Sequence, residues 1–155
     1  MAQTTNQVPM ACGKLEISVD SCVSWTDISG ESQSISGTEQ TVMSGEAYTF
    51  SGDTALTAGG KREPMELEVA IVYTEADDEA YQIVRNAFEV AGTCGGTLCL
   101  RWSPRGGSAG HEQLTTGVGQ LTSFTYPPMD ASAGGPIMVG FTLKVGSITT
   151  TIVAS

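Results

Sequence analysis

The chain is poor in positive charge, in aromatic side chains and in long apolar runs. Of its 155 residues, seven are lysine or arginine and one is histidine, against 17 acidic residues, which gives a formal net charge of −10. Such a chain lacks a basic surface for gripping nucleic-acid phosphates. Aromatic residues make up 6% of it, too few to indicate a sugar-cleaving cleft, and no apolar run is long enough to span a bilayer. We therefore expect a soluble protein without a membrane segment.

The cysteines indicate no disulfide framework. They are Cys12, Cys22, Cys94 and Cys99. One continuous strand would place Cys12 and Cys22 roughly 33 Å apart, whereas a disulfide requires less than ~7 Å between the Cα atoms. Cys94 and Cys99 could approach each other if the two glycines between them turn. Because no secretory signal is visible, we expect synthesis in the cytoplasm and four free thiols.

Two stretches alternate between apolar and polar residues, which predicts half-buried β-strands. The first runs from Leu15 to Trp25 and the second from Met65 to Tyr73. Successive side chains of a strand point to opposite faces, so the acidic residues of each stretch share its polar face. They are Glu16 and Asp20 in the first strand, and Glu66 and Glu68 in the second.

The second of these strands is followed by an amphipathic helical pattern. Thr74 begins a Thr-Glu-Ala-Asp sequence that resembles a capping box, and Gly92 suits the position just past the helix. The apolar positions recur at helical spacing, so we expect this side of the helix to pack on the sheet. Its predicted core residues are Ile83, Val84, Ala87 and Phe88, flanked by Ala80 and Ala91.

Residues 30 to 62 are dominated by glycine, serine, threonine and acidic residues. One short strand is predicted there, from Ala47 to Phe50. Compact domains rarely carry long segments without a purpose, so this one is either disordered or ordered by a partner. Its composition offers little apolar area to offset the entropy of ordering, and we expect it to order only on assembly.

Several further strands follow the helix, and they complete a mainly β fold in one domain, residues 1 to 155. The last two, "IMVGFTLKV" and "SITTTIV", are separated by Gly146 and predict a tight hairpin. Alternate residues are expected on its core side: Ile137, Val139, Phe141, Leu143 and Val145. Six to eight strands with one helix indicate a sandwich or barrel whose flank the helix covers.

One stretch has the spacing of a catalytic motif. Gly106 to Gly110 reads G-x-S-x-G, and His111 follows directly. A nucleophile elbow needs a helix behind the serine and a histidine from a distant loop, whereas the sequence after His111 is rich in glycine. We interpret the stretch as a surface loop and expect no enzymatic activity.

No cofactor or metal site is expected. The cysteines lack the Cys-x-x-Cys spacing of a zinc knuckle. Asp77, Asp78 and Glu79 lie in the first turn of the predicted helix and lack the glycine of a calcium loop, so stabilisation by the helix dipole explains them better.

Five segments between Val23 and Val145 have a distinctive order and character: "VSWTDISGESQSISG", "AYTFSGD", "GGKREPMELEVAIVYTE", "LRWSPRGGSAG" and "YPPMDASAGGPIMVGFTLKV". Together they resemble the major tail tube proteins of long-tailed, siphovirus-like bacteriophages. The resemblance implies a β-sandwich or half-barrel with one flanking α-helix, which forms a continuous β-barrel tube on oligomerisation. Hexameric rings would stack into a hollow tube through which DNA passes without specific binding.

The same resemblance implies partners, location and site residues. The partners would be further copies of the chain and the tail-tip, tape-measure and tail-terminator proteins, all in the tail of a virion assembled in the host cytoplasm. Acids on the polar strand faces would line the lumen: Glu16, Asp20, Glu66 and Glu68. The long loop would reach the next ring through Gly30, Gly37, Gly45, Tyr48, Phe50 and Arg62. The alternatives are a capsid decoration protein, a head–tail completion protein and a non-viral ligand-binding β-sandwich domain.

Overall fold

The computed structural model describes residues 3–4, 6–90 and 96–155. No helix in this part of the chain is long and apolar enough to cross a membrane. The elements, in chain order, are a 3-10 helix Met10–Cys12, β1 Lys14–Ser18, β2 Thr26–Asp27, β3 Ser32–Ser36, β4 Val42–Ala47, β5 Leu56–Arg62, β6 Met65–Val72, α1 Ala80–Val90, β7 Thr97–Ser103, β8 Glu112–Thr116, β9 Gly119–Phe124, β10 Met138–Val145 and β11 Ile148–Ile152.

Nine of the strands form one antiparallel sheet system. The strand order is β11-β8-β7-β9-β10-β6-β3, and β1 pairs with both β7 and β2. The strands at the two ends of this path, β11 and β3, do not pair with each other in the described residues. The fold is therefore mainly β with one helix, as predicted, and a single chain does not close into a barrel.

The predicted hairpin at Gly146 is wrong. Lys144 pairs with Gln120 and Ile148 pairs with Thr116, so the chain continues through Gly146 in one direction along its neighbours β9 and β8. A tight two-residue hairpin needs a left-handed residue, and Gly146 is not among those with positive φ. The result is one long antiparallel pair, residues 112–124 with 138–152, in which both strands bend near their glycines.

The core lies between the sheet and α1. Strands β6 and β10 alternate between buried and exposed side chains, as their sequences predict. Helix α1 packs across β6, β7 and β9. Val84 is fully buried, and Ile83, Ala87 and Phe88 are partly buried against the same core cluster.

Helix α1 begins later than the sequence suggested. It starts at Ala80 rather than at Thr74, and no acidic residue lies in its first turn. The carboxylate of Glu31, from the loop before β3, accepts a hydrogen bond from the Ala80 backbone N–H. The Gln82 amide donates to the Thr74 carbonyl at 3.1 Å. A distant residue therefore caps this helix; the predicted end at Ala91 and Gly92 lies outside the described residues.

Strand β1 is shorter than predicted, and this corrects the prediction of four free thiols. The chain leaves the sheet after Ser18 and turns through Ser21 and Cys22, which both have left-handed φ angles of 60° and 67°. The turn brings Cys22 against β7, where it forms a disulfide with Cys99. Ser18, the last residue of β1, is the register partner of Cys99, so the disulfide joins the turn after β1 to the neighbouring strand β7. Cys12 is free and exposed, and Cys94 lies outside the described residues.

The segment from 30 to 62 divides into two parts. Its first part contains β3, which pairs with β6, and Gly37 follows with φ +75° and no room for a side chain, because a Cβ there would lie 2.0 Å from the Glu66 carbonyl oxygen. Its second part, residues 42–62, is a hairpin of β4 and β5 that pairs with no other strand, and we call it the arm. The strand predicted at 47–50 is misplaced, because β4 ends at Ala47.

Candidate functional site

One face of the sheet formed by β3, β6, β10 and β9 lies away from α1 and the core. We call it the open face. Its side chains include small hydroxyls, two carboxylates and one lysine, contributed by alternate positions of the four strands. They are Ser34, Ser36, Glu66, Glu68, Ser123, Thr142 and Lys144, with Ala70 among them.

Strand register fixes how the charges on the open face are spaced. Glu68 lies between its partners Ser36 on β3 and Thr142 on β10, in a shallow groove of about 370 Å³, and half of the residues that line this groove carry hydroxyl groups. Glu66 lies opposite Lys144, with 3.8 Å between Oε1 and Nζ. Both of these side chains are about half exposed, so the pair contributes little stability. Glu68 therefore carries the unbalanced charge of this face.

Glu16 is not on the open face, and its position corrects the prediction that it lines a lumen. Its residue is only 6% exposed. Arg101 Nε donates to its carboxylate at 2.8 Å, and Lys14 Nζ lies 3.0 Å away. Burial acts to raise the pKa of Glu16, but the hydrogen bonds from Arg101 and Lys14 outweigh it, and the pKa is lowered. The predicted half-buried strand is thus buried on both sides here.

Asp20 is exposed but stabilises a turn and does not belong to the open face. Its carboxylate accepts hydrogen bonds from the Ser18 hydroxyl at 2.6 Å, from the Ser24 backbone N–H at 2.8 Å and from the Ser24 hydroxyl. The bonds from Ser18 and Ser24 lower the pKa of Asp20. This cap holds the turn that carries Cys22.

The arm presents apolar side chains to solvent. All residues of β4 and β5 are exposed. The exposed apolar side chains include Val42, Met43 and Leu56 on the strands, and Tyr48 and Phe50 at the tip. Lys61 and Arg62 lie at the base of the arm and form no ion pair within the described residues. Gly45 lies in β4, whereas Gly30 and Gly37 precede the arm.

The G-x-S-x-G stretch lacks the geometry of a nucleophile elbow. The Ser108 hydroxyl donates to the Arg105 carbonyl at 3.0 Å, and strand β8 rather than a helix follows the motif. Ser108 and His111 line a cavity of about 260 Å³ with Cys12 and Arg105. No group of three metal-ligating side chains lies together in the described part of the chain.

Sequence reasoning missed two components of these surfaces. Ser34 and Ser36 of β3 line the open face, and their signal was their alternation around Ile35. The apolar residues of the arm were overlooked because they are scattered among glycines and threonines, although Val42 and Met43 together with Leu56 mark strands in a segment otherwise poor in them.

Known structures share this fold, whereas two comparisons of the sequence found no match. No protein-family model and no curated protein matches it. A chain of the sheath–tube complex of PVC, an extracellular contractile injection system, is 12% identical with a TM-score of 0.75, over 96% of this chain and 94% of that one. A chain of the anti-feeding prophage baseplate is 11% identical with a TM-score of 0.73, over 97% and 99%.

The SPP1 tail tube is a further match. It is 12% identical with a TM-score of 0.65, over 96% of this chain and 81% of that one. At such identities the likeness establishes the fold alone. The chain has a fold found in tube-forming tail and injection systems, and it spans more than four fifths of each of these three matching chains.

Proposed function

We propose that this chain is a structural subunit of the hollow tube of a phage or phage-like tail, and not an enzyme. The arm carries the proposal. An isolated two-stranded hairpin is marginally stable in water, and this one exposes every residue of its strands while presenting large apolar side chains. Exposed apolar surface of this kind marks an interaction site. The arm is therefore stabilised by another protein copy, as stacking into a tube requires.

The open face supports the second part of the proposal, a ring with a water-filled lumen. Copies side by side extend the four strands β3, β6, β10 and β9 around the ring, and their hydroxyl-rich faces point inwards. The strand β3 has a free edge in the single chain, and closing a sheet into a barrel removes such edges. Six copies per ring agree with the resemblance seen in sequence and with the six-fold symmetry of one matching assembly.

The third part of the proposal concerns cargo and partners. DNA would pass through the lumen without specific binding, because the chain is acidic and has no basic patch there. In a virion of a long-tailed phage the tube would also contact tail-tip, tape-measure and tail-terminator proteins. A capsid decoration protein, a completion protein and a ligand-binding domain remain the alternatives.

Electron microscopy of the purified protein tests this function. We expect tubes or stacked rings for the wild type, and rings or folded monomers when residues 43–60 are replaced by a short Gly-Ser turn. Ser108→Ala is the matched control and should assemble normally. Monomers or trimers of the wild type at all concentrations would contradict the proposal and favour the alternatives.

Amide hydrogen exchange tests the same proposal independently. Residues 42–62 should exchange fast in the monomer and slowly in the assembled tube, because assembly covers their hydrogen bonds. The residues of β3 pair with β6 within one chain and should be protected in both states. Equal exchange of the arm in both states would count against its role in assembly.

A further inference from the structure

The strand β7 joins two halves of the sheet system. Residues 97–98 pair with β9, whereas residues 101–102 pair with β8. Cys99 lies between these two pairings, and it is also opposite the last residue of β1. Strands β8 and β9 are parts of one long strand that bends here, so we call residues 99–100 and 116–118 the corner.

The Thr116 side chain bridges the two strands at the corner. Its buried hydroxyl accepts a hydrogen bond from the Leu100 N–H at 2.9 Å and donates to the Leu100 carbonyl at 3.3 Å. Gly117 follows, and a Cβ at this position would meet no other part of the described chain within 4 Å. Because glycine restricts the backbone least of all residues, the chain can bend at Gly117. The sheet alone therefore leaves the corner able to move.

The Cys22–Cys99 disulfide fastens a surface turn to this corner. The turn comprises residues 19–24, and Cys22 lies at its tip. The Cys22 Sγ also lies 3.9 Å from the carbonyl oxygen of Thr116, on the other strand of the corner. Through the disulfide and this contact, the tip of the turn reaches both strands of the corner.

Different groups hold the ends and the tip of the turn. The Asp20 carboxylate accepts hydrogen bonds from the Ser18 and Ser24 hydroxyls, which holds the two ends. At the tip, Ser21 and Cys22 have left-handed φ angles, which are unfavourable for residues other than glycine. The disulfide holds the tip in this conformation, so breaking it allows both residues to relax.

The two bridged cysteines differ in their access to solvent. Cys99 is 1% exposed, whereas Cys22 is partly exposed. An incoming thiolate therefore attacks the Cys22 sulfur, forms a mixed disulfide with it and releases Cys99 as a thiolate. A second thiolate then displaces Cys22, so that two external thiols become one disulfide and the bridge becomes two thiols. The Thr116 carbonyl is placed to accept a hydrogen bond from the Cys22 thiol.

We propose that this disulfide is a redox-operated lock on the corner, opened by attack at Cys22. In the oxidised chain, the turn is fixed over the corner and the two halves of the sheet system keep one angle. Reduction by low-molecular-weight thiols releases the tip, and the corner then bends at Gly117. Compartments that keep thiols reduced favour the flexible form, and oxidising surroundings favour the locked form. The lock acts within one chain and goes beyond the proposed function.

Backbone amide order parameters of the oxidised and the reduced chain test the lock. They are measured by solution NMR for soluble chains or by solid-state NMR for tubes, so the test does not depend on assembly. We expect the order parameters of residues 21–22 and 117–118 to fall from about 0.85 to below about 0.6 on reduction, while those of β6 stay near 0.85. Unchanged values at the corner, or unfolding of the whole reduced chain, would overturn the proposal and leave the proposed function standing.

Two variants separate the lock from other effects of the reductant. Cys22→Ser should show the low order parameters of the reduced chain without any reductant, and reductant should not change them further. Cys12→Ala, which removes the exposed free thiol, should respond to reductant as the wild type does. A Cys22→Ser chain with a corner as rigid as that of the oxidised wild type would contradict the proposal.

Trapping with glutathione identifies the sulfur that is attacked. In a Cys12→Ala and Cys94→Ala background, the two bridged cysteines are the only ones left in the sequence. The folded chain is treated with millimolar glutathione, alkylated and digested, and we expect mass spectrometry to find glutathione on Cys22. Glutathione on Cys99 instead, or a bridge that survives this treatment, would contradict the proposal.

Discussion

Arg101 Nε donates a hydrogen bond of 2.8 Å to the buried carboxylate of Glu16, its register partner across β1 and β7. The Arg101 guanidinium also lies 4.3 Å from the centroid of the Trp25 ring. The Arg101 guanidinium therefore pairs with the buried Glu16 carboxylate and also contacts Trp25, which follows the turn that carries Cys22. This pair belongs to the interior of the subunit, and its loss should affect folding before assembly.

We predict that Arg101→Ala lowers the free energy of unfolding by about 3 kcal/mol at neutral pH, because removing one partner leaves a buried charge inadequately paired. Chemical denaturation measures this loss. Lys144→Ala is the matched control: its partner Glu66 is exposed, and we expect a loss below about 1 kcal/mol. Equal losses in the two variants would contradict the assignment.

The same pair makes stability depend on pH. The pKa of Glu16 in the folded chain lies below its ordinary value of 4.5. The unfolded state therefore binds this proton more tightly, so the contribution of Glu16 is present above pH 4.5 and is lost as the pH falls through the folded pKa. We expect the stability difference between wild type and Arg101→Ala to shrink in that acid range. A difference that does not change with pH would refute the linkage.

The Cys22–Cys99 disulfide closes a loop with a sequence separation of 77 residues. On a chain-entropy estimate this restricts the unfolded state by roughly 4 kcal/mol. We predict that Cys22→Ala lowers the melting temperature markedly and that reductant has no further effect on it. Cys12→Ala is the control, because that thiol is exposed and free. Equal melting of wild type with and without reductant would show that the disulfide is absent or inert.

The contact between α1 and the sheet gives a fourth prediction. Phe88 is partly buried and stacks on Phe124 with 5.6 Å between ring centroids. Phe88→Ala should destabilise the monomer by about 2–4 kcal/mol, since it removes an aromatic pair and leaves a cavity. Asn86→Ala on the exposed side of the same helix should change the stability by less than about 0.5 kcal/mol. Unchanged melting of Phe88→Ala would mean that the helix is held by other contacts.

Of the predictions made from sequence, those of strands with one buried face were the most accurate. The alternation of β6 and β10 gave the correct strands and the correct inward residues, because one face of each is packed on the core. The apolar spacing of Ile83, Val84 and Phe88 likewise placed one side of α1 against the sheet. These features depend on local periodicity, which a single sequence displays.

Features set by residues distant in the chain were not predictable in this way. The start of α1 depends on Glu31, which precedes the helix by nearly fifty residues and bonds to the Ala80 N–H. The disulfide depends on β1 pairing with β7, and the burial of Glu16 depends on Arg101 from the same partner strand. In the last two cases the alternation in β1 carried no information about which strand would cover its polar face.

The last prediction concerns the charge of the lumen wall in the proposed tube. Glu66 and Glu68 both lie on the open face, but Lys144 pairs with Glu66. Substituting Glu68 therefore tests the charge of the wall more directly. Each lysine that contacts a DNA phosphate releases counterions and creates a binding well that deepens as salt is lowered. In a ring this change is repeated in every subunit, whereas the native carboxylates repel the phosphates and keep the wall non-adhesive.

We therefore predict that tubes of Glu68→Lys retain short duplex DNA, with binding that is strong at about 50 mM salt and largely lost by about 200 mM. Wild-type tubes should retain none under either condition, and co-sedimentation with labelled DNA measures both. Glu112→Lys makes the same charge reversal at an exposed position of β8, away from the open face. Tubes of this variant should retain no DNA in their lumen, as we expect for wild type. In a virion, Glu68→Lys should correspondingly slow DNA delivery, and more so at low salt. Tubes of Glu68→Lys that assemble normally and never bind DNA would mean that the open face does not line the lumen.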